Sequence, residues 1–244
     1  MTFSVFNLLI HGYSLSRIIQ EILTRSNIGK STWIVTANPE ILLYAKKNYL
    51  YWNTLHQADI RSIDGFGLQL VGWFKKINVS RVTGVKLADE VVKLCVKQNW
   101  TLVLIGGQND ASNKSAWMLR KQYPELKVFA EDGGNISTDG VADEVGEASI
   151  TRITEYEADV ILVAFGHPKQ EFWINRYRNR FPTAKLFIGV GGTFDFWSGN
   201  SHRAPLWMQK IGLEWLYRLI LEPKRLPRIF NAIFIFPLKV LFNK

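Results

Sequence analysis

The stretch KLFIGVGGTFD, residues 185–195, joins an apolar run to two adjacent glycines and an acidic turn. Such a run is typical of a strand that is buried on both faces, and Gly191 and Gly192 follow it at once. Because glycine lets backbone N–H groups approach an anion, the passage indicates a strand that ends at a ligand. Whether this motif belongs to a larger sheet depends on the rest of the chain.

Similar apolar runs alternate with amphipathic segments of helical length upstream of this stretch. The predicted strands are residues 32–36, 58–63, 101–105, 126–130, 159–164 and 185–190. The predicted helices are residues 39–48, 87–99, 110–122, 141–155 and 169–180. The N-terminal stretch MTFSVFNLLIHGYS predicts one further strand. This alternation predicts an α/β fold with a mostly parallel sheet and helices on both faces.

The alternation of strands and helices stops near residues 199–204, which predicts a boundary. We expect residues 1–200 to form the core and residues 201–244 to form a helical, basic appendage. From Arg203 onward, eight Lys and Arg against two Glu leave six of the nine net positive charges of the chain. Aromatic residues interleave with these charges, as in a helix that lies at a membrane surface. A helix docked on the core is the alternative, and both can hold together.

Composition limits the classes of function. A net charge of +9 indicates an anionic partner, such as nucleic acid, nucleotide, phosphate or acidic lipid. The single cysteine, Cys95, predicts a buried thiol, excludes an intramolecular disulfide and fits a reducing cytosol. The sequence contains neither GxGxxG nor a P-loop, which disfavours a dinucleotide oxidoreductase and an ATPase. It also contains no apolar run long enough to span a bilayer.

Polar or glycine-rich residues follow five of the predicted strands. In parallel sheets ligands bind beyond the carboxyl ends of the strands, so these segments predict one shared site. They are TANPE at 36–40, DGFG at 64–67, GGQ at 106–108, GHPKQE at 166–171 and GGTFD at 191–195.

The first two of these segments offer a binding pair and a base. Thr36 and Asn38 either face a ligand or serve the turn, where Asn38 caps the following helix. Asp64 belongs either to a hairpin turn or to a site in which it acts as a general base. The second interpretation is favoured, because a helical segment and not a strand follows it. A sugar transfer needs such a base to deprotonate the attacking hydroxyl.

The remaining candidates are suited to phosphate and sugar groups. Arg81 precedes a helix and is either a phosphate ligand or a solvated side chain. Gln170 fits a sugar or an oxyanion, whereas Glu171 and His167 are interpreted as a helix-dipole charge and a loop histidine. Asp195 holds a sugar hydroxyl or caps a helix, and Arg203 is suited to neutralising a diphosphate.

Taken together, these motifs resemble the WecG/TagA/CpsF glycosyltransferases, glycosyltransferase family 26. The resemblance extends from about residue 32 to about residue 228. It rests on TANPE, DGFG, RVTG, LVLIGG, VAFGHPKQE, GVGGTFD and RAPLWMQKIGLEWLYRLILEPKR. It implies a Rossmann-like fold with a C-terminal appendage that targets the membrane and helps to close the active site. It also implies an inverting sugar transfer from a UDP-sugar to a polyprenyl-diphosphate-linked acceptor.

The resemblance also assigns roles to single residues. Asp64 matches the proposed catalytic base of the family. The matching pocket residues are Thr36, Asn38, Arg81 and Gln170. The appendage carries three basic residues for the diphosphate, namely Arg218, Arg225 and Arg228. No cofactor or bound metal is expected, which agrees with the absence of a DxD motif.

The expected partners are a UDP-sugar, a polyprenyl-diphosphate-linked saccharide and an anionic membrane surface, with no nucleic acid. The expected location is peripheral, at the cytoplasmic face of a bacterial inner or plasma membrane, and a homo-oligomer is possible. N-acetylmannosamine, its uronic acid and glucose all remain open as donor sugars. The competing hypothesis is a non-enzymatic basic protein that binds membrane or nucleic acid, but it leaves the five polar strand ends unexplained.

Overall fold

The structure is a computed structural model that describes residues 1–201, 204–205, 207–208, 213–221 and 223–242. The strands are β1 Thr2–Val5, β2 Leu8–His11, β3 Thr32–Ala37, β4 Ile60–Ile63, β5 Leu102–Gly106, β6 Val128–Glu131, β7 Val160–Ala164 and β8 Leu186–Gly189. The helices of the core are α1 Leu15–Asn27, α2 Pro39–Lys47, α3 Tyr49–His56, α4 Phe66–Phe74, α5 Gly84–Gln98, α6 Ala111–Gln122, α7 Glu144–Glu155, α8 Lys169–Tyr177 and α9 Thr193–Trp197.

The eight strands form one sheet in the order β1-β2-β4-β3-β8-β7-β5-β6. Every neighbouring pair is parallel except β1 and β2. The predicted α/β, Rossmann-like class and its mostly parallel sheet are therefore confirmed. Strands β1–β4 form one half of the sheet and β5–β8 the other, so β3 and β8 meet at the centre. In such sheets, ligands bind at this point, beyond the carboxyl ends of the strands.

The N-terminus differs from the single strand that the sequence predicts. It forms a hairpin of β1 and β2, and the turn places Phe6 and Asn7 at positive φ angles of 49° and 63°. Asparagine tolerates this conformation better than most residues, so Asn7 is the local signal for the turn. The hairpin adds the antiparallel edge of the sheet.

Helices α1 and α3 of the core are not among those that the sequence predicts. Asn48 separates α2 from α3 and serves both, since it ends the first helix and its side chain accepts a hydrogen bond from the N–H of Tyr51. Helix α1 begins at a Ser14 cap. Both helices cover the sheet next to the N-terminal hairpin and β3, where they bury Tyr51 and Ile18.

Apolar side chains fill both faces of the sheet. Along β3, Trp33 and Val35 pack on one face, whereas Ile34 packs on the other. Such two-sided burial explains why the central strands are continuous apolar runs. Cys95 is buried in the second layer, as predicted, and burial raises the pKa of its thiol.

The described residues after 200 are helical where they form regular structure. They comprise α10 Glu214–Leu221, a 3-10 turn Pro223–Arg225, α11 Leu226–Phe230, a π-helical turn Asn231–Ile235 and α12 Phe236–Phe242. We call residues 223–242 the C-terminal arm. The arm packs on α4, where the carbonyl oxygen of Ala232 faces Gly67, and Phe236 is fully buried beside Phe6. Within the described residues, no helix combines the length and apolarity needed to cross a bilayer.

Candidate active site

A cavity of about 970 Å³ opens at the carboxyl ends of the central strands. Residues from all five polar strand ends line it, as the sequence predicts, and the C-terminal arm forms part of its wall. The predicted site residues found in its lining are Thr36, Asn38, Asp64, Arg81, Gln170, Gly191, Gly192, Asp195 and Arg228. Arg203 and the side chains of Arg218 and Arg225 lie outside the described residues.

Asp64 follows β4 directly and is followed by helix α4, so it does not belong to a hairpin turn. Its backbone N–H donates to the carbonyl of Ala37, which fixes the residue beside the end of β3. Its Oδ2 accepts a hydrogen bond of 3.1 Å from the N–H of Gly84, the first residue of α5. The carboxylate is therefore held at a helix N-terminus while it lines the cavity.

Thr36 and Asp64 both lie beside Gly84. Its hydroxyl donates a hydrogen bond of 3.0 Å to the carbonyl of Gly189, which links β3 to β8. A Cβ added to Gly84 would lie 3.6 Å from Thr36 Oγ1 and 3.6 Å from Asp64 Oδ2. The absence of a side chain at Gly84 thus leaves open the space beside both groups.

Asn38 has the capping role, and its place in the cavity lining is consistent with the ligand-facing alternative. Its side chain accepts a hydrogen bond of 3.0 Å from Ile41 N–H, which caps α2, and it also lines the cavity. Two residues further on, Glu40 pairs with Arg228 of the C-terminal arm through contacts of 3.1 Å and 2.6 Å. This two-point ion pair joins the arm to the first turn of α2 at the cavity wall.

His167 lies near the same ion pair, with Nε2 4.0 Å from Glu40 Oε2. Burial lowers the pKa of the imidazole, and the cationic Arg228 acts in the same direction while Glu40 opposes it. His167 lines the cavity, as does its neighbour Lys169. The predicted loop histidine is therefore part of the cavity wall.

Gln170 is almost completely buried and makes two hydrogen bonds. Its Nε2 donates to Glu171 Oε1 at 2.7 Å, and its Oε1 accepts from Gly191 N–H at 3.2 Å. Glu171 also accepts a hydrogen bond of 2.8 Å from the hydroxyl of Tyr51. Glu171 is fully buried, which corrects its interpretation as only a helix-dipole charge, and burial raises the pKa of its carboxyl to about 7.

The glycine pair has a narrower role than the sequence suggested. Gly191 has a φ of +51° and open space where a side chain would stand, but its N–H donates to Gln170. That N–H is already engaged with Gln170, contrary to the expectation that it would be directed at an anion. Gly192 occupies the cap position of α9, so Asp195, in the first turn, is not the cap. Burial raises the pKa of the Asp195 carboxyl, which faces the cavity.

Comparison with known proteins identifies the family. Residues 3–244 match the Glycosyl transferase WecG/TagA/CpsF family. The chain belongs to this family. It is similar to the N-acetylglucosaminyldiphosphoundecaprenol N-acetyl-beta-D-mannosaminyltransferase of Staphylococcus aureus strain MRSA252, with 34% identity over 209 residues. The protein of the same name from strain COL is 33% identical. Each alignment covers 85% of this chain and 79% of the relative.

Membership in the WecG/TagA/CpsF family confirms the resemblance seen in the motifs and makes this chain a glycosyltransferase. The strand ends line the candidate active site of this glycosyltransferase. Asp64 contributes a carboxyl group to the cavity lining, and Arg81 and the Glu40-paired Arg228 contribute guanidinium groups. Hydrogen-bonding groups of Thr36 and Asn38 complete a site suited to a sugar and a diphosphate.

Sequence reasoning missed the contribution of β6 to this glycosyltransferase site. Asp132, Gly134 and Asn135 follow that strand and line the cavity. The glycine pair in EDGGN, residues 131–135, was the available signal, because it resembles the glycine pairs after β5 and β8. Trp215 of α10 also lines the cavity. No local sequence pattern predicts that Trp215 lines the cavity, because this depends on how the C-terminal helices pack on the core.

Proposed function

We propose that this glycosyltransferase transfers N-acetylmannosamine, with inversion, from a UDP-sugar to a polyprenyl-diphosphate-linked N-acetylglucosamine. The observation that carries the proposal is the Asp64 carboxylate, fixed at the N-terminus of α5 on the wall of a cavity of about 970 Å³. The choice of sugar and acceptor is supported by the names of the two S. aureus relatives. The uronic acid and glucose are the alternative donors in the test below.

In the proposed reaction, Asp64 accepts the proton of an acceptor hydroxyl as its oxygen attacks the anomeric carbon of the donor. The new C–O bond forms on the face opposite the leaving group, while the bond from that carbon to the phosphate oxygen of UDP breaks. UDP leaves with the bonding electron pair. One carboxylate is sufficient, because inversion in a single displacement requires no covalent intermediate.

Positive groups balance the charge that develops on UDP. Arg81 lines the cavity, Arg228 lines it in an ion pair with Glu40, and we expect Arg203, Arg218 and Arg225 to add to them. Arginine suits this role because its planar guanidinium binds phosphate oxygens at two points. We therefore propose that transfer needs no bound metal. Turnover that survives prolonged treatment with EDTA would support this part of the proposal, and turnover that is lost and returns with Mg²⁺ would contradict it.

We propose that the arm binds an anionic membrane surface at the cytoplasmic face, where the lipid-linked acceptor is found. Exposed apolar side chains recur on the arm at intervals of four residues, which places them on one side of the helical run. They are Leu226, Phe230, Phe234, Leu238 and Phe242. Phe236 and Pro237, on the other side, are buried. Exposed Lys224 and Lys239 favour acidic headgroups.

The direct test is a matrix of UDP-sugars and synthetic lipid-diphosphate acceptors, with products detected by mass spectrometry. We expect UDP-N-acetylmannosamine and an N-acetylglucosamine-diphosphate lipid to give the highest turnover. A higher turnover with the uronic acid or glucose donor would reject the proposed sugar but keep the reaction type. Absence of transfer for every pair, by protein that is folded and bound to vesicles, would reject the function.

A further inference from the structure

We infer that Glu171, together with Tyr51, is a positioning residue that fixes the orientation of the Gln170 amide at the wall of the cavity. The consequence for catalysis rests on the proposed function, because it requires that Gln170 meet the sugar substrate. The orientation itself is a property of the folded protein and is testable without turnover.

Four groups from three parts of the polypeptide form one chain of hydrogen bonds. The hydroxyl of Tyr51, from α3, donates to Glu171 Oε2 at 2.8 Å. Glu171 Oε1 accepts from Gln170 Nε2 at 2.7 Å, and Gln170 Oε1 accepts from the N–H of Gly191 at 3.2 Å. Tyr51 and Glu171 are fully buried, and Gln170 is 3% exposed. The chain therefore extends from the protein interior to the loop after β8.

Each end of the Gln170 amide contacts a group whose hydrogen-bonding role is restricted. Above its pKa of about 7 the Glu171 carboxylate only accepts hydrogen bonds, and a backbone N–H only donates them at any pH. Turning the amide over would place its oxygen against Glu171 Oε1 and its NH₂ group against Gly191 N–H. One buried and one partly buried hydrogen bond would be lost and replaced by repulsive contacts, at a cost of about 1–3 kcal/mol for the buried one. Glu171 and Gly191 thus select one orientation.

Gly189 provides the space that this arrangement needs. A Cβ on Gly189 would lie 2.6 Å from Gln170 Nε2 and 3.0 Å from its Cδ, so a side chain there would displace the amide. The glycine at the end of β8 is therefore explained by the close approach of Gln170. This contact also supports a fixed place for the amide, independently of its hydrogen bonds.

Glu171 itself does not line the cavity, although its neighbour Gln170 does. The carboxyl is enclosed by protein, and its two oxygens are engaged by Gln170 and Tyr51. A buried carboxylate that is paired only with neutral donors is costly to the fold. A role in orienting Gln170 accounts for the presence of the Glu171 carboxyl in this position. The oriented Gln170 amide presents an incoming sugar hydroxyl with a defined donor and a defined acceptor.

The first experiment measures the orientation directly, by the side-chain NH₂ resonances of Gln170 in ¹⁵N-labelled protein. The resonances are assigned by their loss in Gln170→Ala. We expect them to shift and to exchange faster with solvent in Glu171→Gln and in Tyr51→Phe, while Glu144→Gln on the exposed surface of α7 leaves them in place. Unchanged resonances in folded Glu171→Gln and Tyr51→Phe would overturn the inference, whatever the enzyme's substrate.

The second experiment is a double-mutant cycle on kcat/KM for sugar transfer. We expect Glu171→Gln to lower kcat/KM about tenfold in the native background and less than twofold in the Gln170→Ala background, because its effect passes through Gln170. Equal losses in both backgrounds would mean a general structural role and would overturn the inference. Full activity of Gln170→Ala would show that Gln170 does not meet the substrate, which rejects its site role and the catalytic part of the inference.

Discussion

At the scale of single residues, Gly84 is as important to the site as the polar side chains, because it has no side chain of its own. Gly84 begins α5 and supplies the N–H that holds Asp64, and its lack of a Cβ leaves space beside Asp64 and Thr36. An acceptor hydroxyl must reach this space if Asp64 is the base. The motif RVTG, residues 81–84, therefore contributes space beside Asp64, through Gly84, as well as the positive charge of Arg81.

Gly84→Ala tests this opening. The added methyl group would stand at ordinary contact distances of 3.6 Å, and alanine favours the helix by up to about 1 kcal/mol. We expect the melting temperature to stay equal or rise, while kcat/KM falls at least about tenfold. Lys86→Ala, in the same helical turn but exposed, is the control and should keep its activity. A fully active Gly84→Ala enzyme would place the reacting hydroxyl elsewhere.

The buried carboxyl of Glu171 predicts a dependence of stability on pH. Burial raises its pKa from 4.5 to about 7 in the folded state, so the native protein holds this proton more tightly than the unfolded chain. Its stabilising contribution is complete below pH 4.5 and is lost as the pH rises to about 7, at most about 1.4 kcal/mol for each pH unit. Glu171→Gln has no such proton and should remove this part of the slope.

Urea unfolding at intervals between pH 4.5 and pH 8 measures this slope. We expect the free energy of unfolding of the native protein to fall, relative to Glu171→Gln, as the pH rises across this range. Glu144→Gln makes the same chemical change on the surface and should follow the native curve. If the curves of the native protein and Glu171→Gln run parallel, the carboxyl does not titrate in this range.

At the scale of secondary structure elements, a close contact between α4 and the C-terminal arm holds the arm beside the cavity. A Cβ on Gly67 would lie 1.9 Å from the carbonyl oxygen of Ala232, so only glycine permits this approach. The arm in turn contributes Arg228, Ile229, Ala232 and Ile233 to the cavity wall. The second glycine of DGFG therefore permits the contact with the arm, whereas Asp64, the first residue of that motif, is the proposed base.

Gly67→Ala should lift the arm and leave the sheet intact. We expect faster cleavage of the arm in limited proteolysis and a loss of turnover of about tenfold or more. The melting temperature of the core should change little, because alanine is otherwise favourable in a helix. Gln69→Ala, in the same helix, is the control. An arm that is cut at the native rate in Gly67→Ala would contradict the contact.

Sequence patterns predicted those elements whose signal is local. The central strands are apolar on both faces, and the polar residues after them mark the site, so both were predicted within a few residues. Helix α3 was missed because only Asn48 separates it from α2. The burial of Glu171 was also missed, since its partner Tyr51 is 120 residues away in the chain. Long-range partners of this kind leave no periodic signal.

At the scale of the whole molecule, the C-terminal arm carries both a wall of the cavity and an exposed apolar stripe. Residues such as Ala232 and Ile233 line the cavity, while Phe234 and Leu238 are exposed. A net charge of +9 adds attraction to acidic lipids. This arrangement would bring the site to the surface where a lipid-linked acceptor is held.

Paired substitution of Phe234→Ser and Leu238→Ser tests membrane binding without truncating the chain. Both side chains are half exposed, so we expect the fold and UDP binding to be preserved. The partition constant for anionic liposomes, measured by sedimentation, should fall by about thirtyfold or more, because two large apolar contacts of roughly 1 kcal/mol or more each are lost. Trp117→Ser, on the exposed face of α6, is the matched control. Undiminished sedimentation of the double variant would contradict the role of the arm.

The most direct test of the central claim compares the native enzyme with Asp64→Asn in transfer from UDP-N-acetylmannosamine to an N-acetylglucosamine-diphosphate lipid. Mass spectrometry reports the product, and calorimetry with UDP confirms that the variant still binds its nucleotide. The account predicts an acceptor heavier by one N-acetylhexosamine with the native enzyme, and a loss of about a thousandfold in rate for Asp64→Asn. Transfer at the native rate by a variant that is folded and binds UDP would contradict it.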